Sequence, residues 1–156
     1  MKPRISYAKA APGVFDAMDS LENYLASSSI EAPLIRLVNM RVSQINGCAY
    51  CLDMHWKDLM VQGENPQRVY SLDAWEECPY YSDRERAALA WAESVTRIAD
   101  GHAADRVYEA VRAHFSEKEM ADLTLAISTI NAWNRLSISA RLQPGTYQPV
   151  PAAAAG

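Results

Sequence analysis

The sequence of 156 residues is long enough for one domain with a buried core, and its 49% hydrophobic and 22% charged residues are typical of globular proteins. The formal net charge of −4 and the scattering of the basic residues argue against a nucleic-acid partner, which requires clustered lysine and arginine. We find neither a secretory signal nor a run of roughly 18 apolar residues, and therefore expect a cytoplasmic protein without a membrane partner.

The spacing of apolar residues is helical along almost the whole chain. A first helix is predicted over residues 12–27, where apolar side chains recur at steps of three and four. A second helix is predicted over residues 33–45 and is apolar on most faces, so it belongs in the interior or at a subunit interface. Gly47 can end that helix in a left-handed conformation. A third helix is predicted over residues 48–62.

Capping residues mark the later helices. Asn65 precedes a proline at a first helical position, and Ser82 and Ser116 are each followed three residues later by a glutamate, which is the spacing of a capping box. The last of these begins a long helix over residues 117–141. We therefore predict an all-α fold of about six to seven helices.

The organisation of the chain is simple. We expect a single helical domain over residues 1–147 and a flexible C-terminal tail over residues 148–156, because proline and glycine from position 144 onward precede an alanine-rich end. Residues 5–8 alone suggest an extended segment, and no strand that could pair with it is visible. The sequence contains no internal repeat.

The residues that could carry chemistry are concentrated at the start of the third helix. At about 100° per residue, Cys48, Cys51 and His55 share one helix face. The two-residue gap lets the sulfurs approach bonding distance, and unpaired N–H groups of the first turn stabilise a thiolate. Four residues after Cys51, His55 can exchange a proton with that thiol or with a substrate. This face predicts a redox-active dithiol that points toward apolar surroundings.

Two other interpretations of the cysteine pair stay open. The cysteines could be ordinary core residues, or they could bind zinc together with His55. A zinc site lacks an obvious fourth ligand, because Cys78 is distant and His102 and His114 belong to other helices. We therefore expect neither a metal nor a cofactor. We expect structural roles for Cys78, His102 and His114, and for Trp75, Trp91 and Trp133.

Residues 41–55, RVSQINGCAYCLDMH, closely resemble the core of AhpD-like alkylhydroperoxidases, which belong to the carboxymuconolactone decarboxylase superfamily. The similarity extends through residues 72–75, 85–91 and 130–136, and so covers most of the chain from residue 7 to 147. It implies an AhpD-like helical domain that assembles as a homo-oligomer, either a trimer or a hexamer.

The resemblance also implies a reaction and a role for each site residue. Cys51 attacks an organic hydroperoxide and becomes a sulfenic acid, and Cys48 resolves it to a disulfide. An external dithiol reductant restores the pair, and His55 belongs to the proton relay. The function we expect is therefore that of an alkylhydroperoxidase-type peroxidase.

The chain departs from the family pattern at two positions. Arg36 lies where family members commonly carry a glutamate, twelve residues before the first motif cysteine, and Tyr50 lies where the best-studied branch has a histidine. The relay carboxylate could come from Glu22, Glu31 or Asp53, or be missing. Arg36 could favour a thiolate, bind an anionic substrate, or be a surface or interface residue.

Two rival functions remain. One is a decarboxylase of the muconolactone type, although those relatives commonly lack a redox cysteine pair in this register. The other is a non-catalytic helical oligomer that senses oxidants and uses the dithiol only as a switch. The departure at Arg36 keeps this second alternative open.

Overall fold

The computed structural model describes residues 2–149, which form nine α-helices, one 3₁₀ turn and no strand. The all-α prediction is confirmed, and the four longest predicted helices agree with the structure to within one or two residues at each end. The α-helices are α1 (Tyr7–Ala10), α2 (Gly13–Ala26), α3 (Ala32–Asn46), α4 (Ala49–Val61), α5 (Pro66–Tyr70), α6 (Asp83–Thr96), α7 (Ile98–Gly101), α8 (Asp105–Arg112) and α9 (Glu117–Ala140), with a 3₁₀ turn at Leu72–Ala74.

The predicted count of six to seven helices is too low for residues 2–149. Helices α1 and α7 have four residues each, which is about one turn and too short to display an apolar periodicity. The extended segment predicted over residues 5–8 is also wrong from Tyr7 onward, because Tyr7 begins α1. There the carbonyl of Ser6 accepts hydrogen bonds from the backbone N–H groups of Lys9 and Ala10.

The predicted capping residues hold the starts of α5, α6 and α9. Ser82 and Ser116 each form a complete capping box, in which the serine hydroxyl accepts from the backbone of the glutamate three residues later and that glutamate accepts from the serine backbone. At α5, Asn65 Oδ1 accepts from the backbone N–H of Gln67 at 2.9 Å. These bonds satisfy donors that a helix start otherwise leaves without partners.

Helix α3 lies at the centre of the fold, between α4, α6 and α9. One of its faces contributes Leu34, Val38 and Val42 to a core shared with α6, α8 and α9. Leu37 and Met40 enter a second core with α4, α5 and α6. Burial on two faces explains why the sequence of this helix is apolar almost all round.

The turn from α3 to α4 is fixed by hydrogen bonds to α9. Gly47 has φ of 66°, a left-handed conformation that favours glycine, and it lets the backbone N–H of Cys48 bond to the carbonyl of Ser43 at 3.1 Å. The Nδ2 atom of Asn46 donates to Asn131 Oδ1 at 2.9 Å and to Asn134 Oδ1 at 2.8 Å. The start of α4 therefore has a defined position relative to α9.

The segment after α9 returns to α4 and bonds to its side chains. Lys57 Nζ donates to the carbonyls of Gly145 and Tyr147, and the backbone N–H of Gly145 donates to Asp53 Oδ2 at 2.9 Å. Residues 150–156 of the predicted tail lie outside the described residues. Across residues 2–149, no helix is both long and apolar enough to cross a membrane.

Candidate active site

Cys48 and Cys51 lie at the N-terminus of α4 and are joined by a disulfide, with 5.3 Å between their Cα atoms. Cys48 is the N-cap residue, and its sulfur accepts a hydrogen bond from the backbone N–H of Cys51 at 3.3 Å. Their exposed fractions are 1% and 2%. In the reduced pair, that N–H and the positive end of the helix dipole stabilise a thiolate.

His55 lies one turn after Cys51 on the same face of α4 and is 7% exposed. Its Nε2 atom is buried and has no hydrogen-bond partner among residues 2–149. Burial lowers the pKa of His55 to about 4, so the imidazole is neutral near pH 7 in this disulfide state. This lowering belongs to the disulfide state, in which neither cysteine titrates.

A cavity of about 620 Å³ opens beside these residues, between α2, α3, α4 and α9. Both Cys51 and His55 line it. Of the two motif sulfurs, only that of Cys51 belongs to a residue that lines the cavity formed by the described part of the chain. Most of the wall is apolar, from Phe15, Leu25, Ile30, Ile35, Met54, Ile130, Trp133 and Leu142.

Three charged side chains also line the cavity, those of Glu22, Arg36 and Asp58. Glu22 Oε1 accepts a hydrogen bond from the indole N–H of Trp133 at 2.8 Å. Asp58 Oδ1 accepts from the hydroxyl of Tyr147 at 2.8 Å. Burial raises the pKa of Asp58, while the Tyr147 hydrogen bond and the positive charge of Arg36 oppose that rise. Burial and the bond to Asp58 raise the pKa of Tyr147 to about 12.

Residues 12–94, just over half of the sequence, match the carboxymuconolactone decarboxylase family. The chain belongs to this family. It is 45% identical over 139 residues to the uncharacterized protein YdfG of Bacillus subtilis strain 168, covering 89% of this chain and 95% of YdfG. The resemblance carried by residues 41–55 is therefore confirmed at the level of the family.

One solved structure places this family member in the AhpD-like branch, and a second shares its fold. One is a protein of unknown function from Agrobacterium tumefaciens, ATU0492, described as a candidate antioxidant defence protein AhpD. It is 44% identical, has a TM-score of 0.90, and the match covers 94% of this chain and all of that one. The other, an uncharacterized peroxidase-related protein with an AhpD core from Ralstonia eutropha JMP134, is 19% identical with a TM-score of 0.78. That match covers 89% of this chain and 74% of the other, and at this identity it supports the fold alone.

Only one of the three predicted relay carboxylates of this AhpD-like chain lies at the cavity. Glu22 lines it, whereas Glu31 bonds to Arg84 and Asp53 bonds to Lys57 and to the backbone of Gly145. The expectation is therefore not met for Glu31 or Asp53. Arg84 and Gly145 come from distant parts of the chain, so sequence position could not reveal them, whereas Lys57 lies four residues after Asp53 and was a visible competitor.

The cavity wall also contains a residue that the sequence analysis missed. Asp58 was missed, although its position seven residues after Cys51 places it on the same helix face, and that spacing was a usable signal. Trp133, expected to have a structural role, packs against the core shared by α3, α6, α8 and α9 and also lines the cavity. Arg36 lies in the cavity wall as well, which favours the interpretations that give it a functional role over that of a surface residue.

The remaining candidates lie away from the cavity. Cys78 is a free, half-buried cysteine packed against the second core. His102 and His114 are exposed. Within residues 2–149, no group of three or more histidine, cysteine, aspartate or glutamate residues is placed to hold a metal ion.

Proposed function

We propose that this chain is a hydroperoxide reductase that uses Cys48 and Cys51 as its redox pair. The observation that carries the proposal is the placement of Cys51 and His55 side by side in the wall of one apolar cavity. The cavity admits an organic molecule to one sulfur only. The other sulfur is held behind it, close enough to have formed a disulfide. Such an arrangement suits an attacking thiol with a resolving partner.

The proposed cycle balances in three steps. The Cys51 thiolate attacks the terminal, hydrogen-bearing oxygen of the hydroperoxide, forming an S–O bond and breaking the O–O bond. The alkoxide takes up the proton that the Cys51 thiol gave up and leaves as an alcohol, and Cys51 becomes a sulfenic acid. The Cys48 thiol then displaces water from that sulfur and forms the disulfide. An external dithiol returns two electrons and two protons by thiol–disulfide exchange, and is itself oxidised.

A lower thiol pKa contributes little to this reaction. Lowering the pKa by about two units from roughly 8.5 raises the thiolate fraction at pH 7 about 25-fold. The nucleophilicity of the sulfur then falls about eightfold, which leaves a net gain of about threefold. Most of the acceleration must come from holding the peroxide in place and from supplying a proton to the leaving alkoxide. We assign the proton transfer to His55, which lines the cavity beside Cys51 and whose Nε2 has no partner among residues 2–149.

A thiol titration tests the proposal. The reduced protein should lose two thiols for each equivalent of cumene hydroperoxide consumed, and mass mapping should place the new disulfide between Cys48 and Cys51. Cys51→Ser should abolish turnover. Cys48→Ser should still react once and stop at a sulfenic acid on Cys51, because the resolving thiol is missing.

Cys78→Ser is the matched control, since Cys78 is a free cysteine away from the cavity. It should lower the thiol count by one and leave turnover unchanged. Continued turnover in Cys51→Ser would exclude the mechanism. Slow peroxide consumption together with an oxidation-dependent change of assembly would favour the oxidant sensor. Lactone decarboxylation unaffected by thiol alkylation would favour the decarboxylase.

Two further expectations belong to this proposal. The physiological reductant is a dithiol whose attacking thiol reaches Cys51 through the cavity. It is therefore either a small molecule or a protein with a protruding thiol. The chain assembles as a trimer or hexamer, as the family resemblance implies. Sedimentation of the purified protein checks the assembly, and a monomer at micromolar concentration would contradict it.

A further inference from the structure

We propose that the hydroperoxide taken by this site carries a carboxylate, which Arg36 binds. This inference rests on the proposed function and specifies its substrate class. It starts from a cation in the cavity wall whose hydrogen-bonding groups are not used by the rest of the described chain. The substrate class that follows is the hydroperoxide of an apolar carboxylic acid.

Arg36 projects from α3, is half-buried and lines the cavity. Within residues 2–149 its side chain forms no hydrogen bond or ion pair. By contrast, the half-buried residues Arg68, Arg84 and Arg86 each donate to carboxylates or backbone carbonyls. A guanidinium has five N–H donors in a planar fork that matches the two oxygens of a carboxylate. Arg36 thus presents an unfilled carboxylate-binding group to the cavity.

The acidic residues of the cavity do not take that place. Asp58 is near enough for Arg36 to oppose the rise in its pKa, yet the two side chains form no ion pair in the structure. Asp58 instead accepts from Tyr147, and Glu22 accepts from Trp133. Both carboxylates therefore already have an aromatic donor, while the guanidinium has no acceptor. A ligand carboxylate can supply the missing acceptor, with Asp58 as its weak competitor.

The rest of the wall indicates what the ligand's body is made of. Ile35 and Met54 flank the polar residues along α3 and α4, and Phe15 and Trp133, whose ring centroids are 5.7 Å apart, add aromatic surface. The cavity volume of about 620 Å³ is within the range of about 300 to 1,000 Å³ found for organic ligands. An apolar chain joining a carboxylate at Arg36 to a peroxide at Cys51 fits this distribution of polar and apolar wall.

The first test compares two substrates that differ only in the charged end, linoleic acid hydroperoxide and its methyl ester. The wild-type protein should prefer the acid in kcat/KM by about 10- to 100-fold, the effect of a charge-assisted hydrogen-bonded pair. Arg36→Gln should remove the preference by slowing the acid alone, and Arg36→Lys should restore part of it. Arg106→Gln is the control, since it removes the same charge from an exposed site on α8.

The second test separates this inference from the proposed reaction. Calorimetry on the disulfide form should detect binding of decanoate but much weaker binding of methyl decanoate, and Arg36→Gln should lose the difference. If decanoate binds through Arg36 but no hydroperoxide is turned over, carboxylate recognition stands and the reductase fails. If acid and ester hydroperoxides are turned over equally and decanoate does not bind, the reductase stands and this inference is wrong.

Discussion

Helix α3 carries two arginines five residues apart, and their surroundings differ completely. Arg41 is 5% exposed and bonds to Asp73, to Glu93 at 2.9 Å and to Gln44 at 3.2 Å. Arg36 lies in the cavity wall and has no such partner among residues 2–149. A buried charge whose donors are all used holds elements of the fold together, here α3, α6 and the 3₁₀ turn. A charge or imidazole whose hydrogen-bonding groups are left over is available to a ligand.

The same contrast separates the two sides of the candidate site. Behind the cysteines, the amide of Asn46 donates to Asn131 and to Asn134 and so fixes the turn. In front of them, His55 is buried with Nε2 unbonded within the described residues. Near pH 7, stability should therefore come from the partnered groups and activity from those without partners. The following predictions test that division, beginning with the largest expected effect on stability.

The largest effect comes from His55. Burial depresses its pKa from 6.5 in the unfolded chain to about 4 in the folded disulfide form. The unfolded chain thus binds a proton that the folded chain does not, and stability falls as the pH drops from about 6.5 to 4, by up to about 3 kcal/mol. Urea denaturation of the oxidised protein at several pH values measures this slope.

His55→Gln should flatten that part of the pH profile, and a matched change at the exposed His114 should leave it unaltered. The His55 variant should be about as stable as the wild type at pH 7, because no hydrogen bond of Nε2 is lost within the described chain. A profile that keeps its slope in His55→Gln would assign the titration to another group.

The second effect comes from the partnered arginine. Arg41→Gln should lower the free energy of unfolding by about 2 kcal/mol, because it takes two guanidinium donors away from Glu93 in a partly buried site. Arg36→Gln should change it by less than about 0.5 kcal/mol, since no bond is broken within the described residues. Urea denaturation of both variants at pH 7 makes the comparison. Equal losses would mean that Arg36 also has a structural role.

The smallest effect comes from the turn behind the cysteines. Asn46→Ala removes two hydrogen bonds to α9 and should lower the free energy of unfolding by about 1 to 1.5 kcal/mol. Because the bonds also position the start of α4, the rate of disulfide formation after one equivalent of peroxide should fall. A variant that loses stability but forms the disulfide at the wild-type rate would separate the turn from the chemistry.

Sequence predicted the local parts of this molecule well. Helix α4 carries Cys51 and His55 four residues apart, so their common face follows from spacing alone, whereas Cys48, predicted as the first residue of this helix, is its N-cap. The capping serines at α6 and α9 are equally local, because each cap is completed within four residues. The interior position of α3 followed from its nearly continuous apolar composition.

The cavity could not be predicted in this way. Its walls join Phe15 from α2 to Trp133 from α9 and to Leu142 beyond that helix. Phe15 is more than one hundred residues from either of the other two in the chain. No periodicity along a single helix encodes such a meeting. Likewise, the bond between Asp58 and Tyr147 depends on the return of the chain after α9. The place of Asp58 on the helix face of Cys51, by contrast, could have been predicted from the seven-residue spacing between them.

The burial of Cys48 determines which sulfur the reactants of the proposed cycle reach. Cys48 is 1% exposed, and within the described structure it contributes nothing to the cavity wall that contains Cys51. A reducing dithiol arriving from outside therefore meets Cys51 first, through the same opening that admits the hydroperoxide. The hydroperoxide and the reductant therefore use the same cavity opening, and each has to leave the cavity before the other can bind. A molecule that lodges there without reacting would halt both halves of the cycle at once.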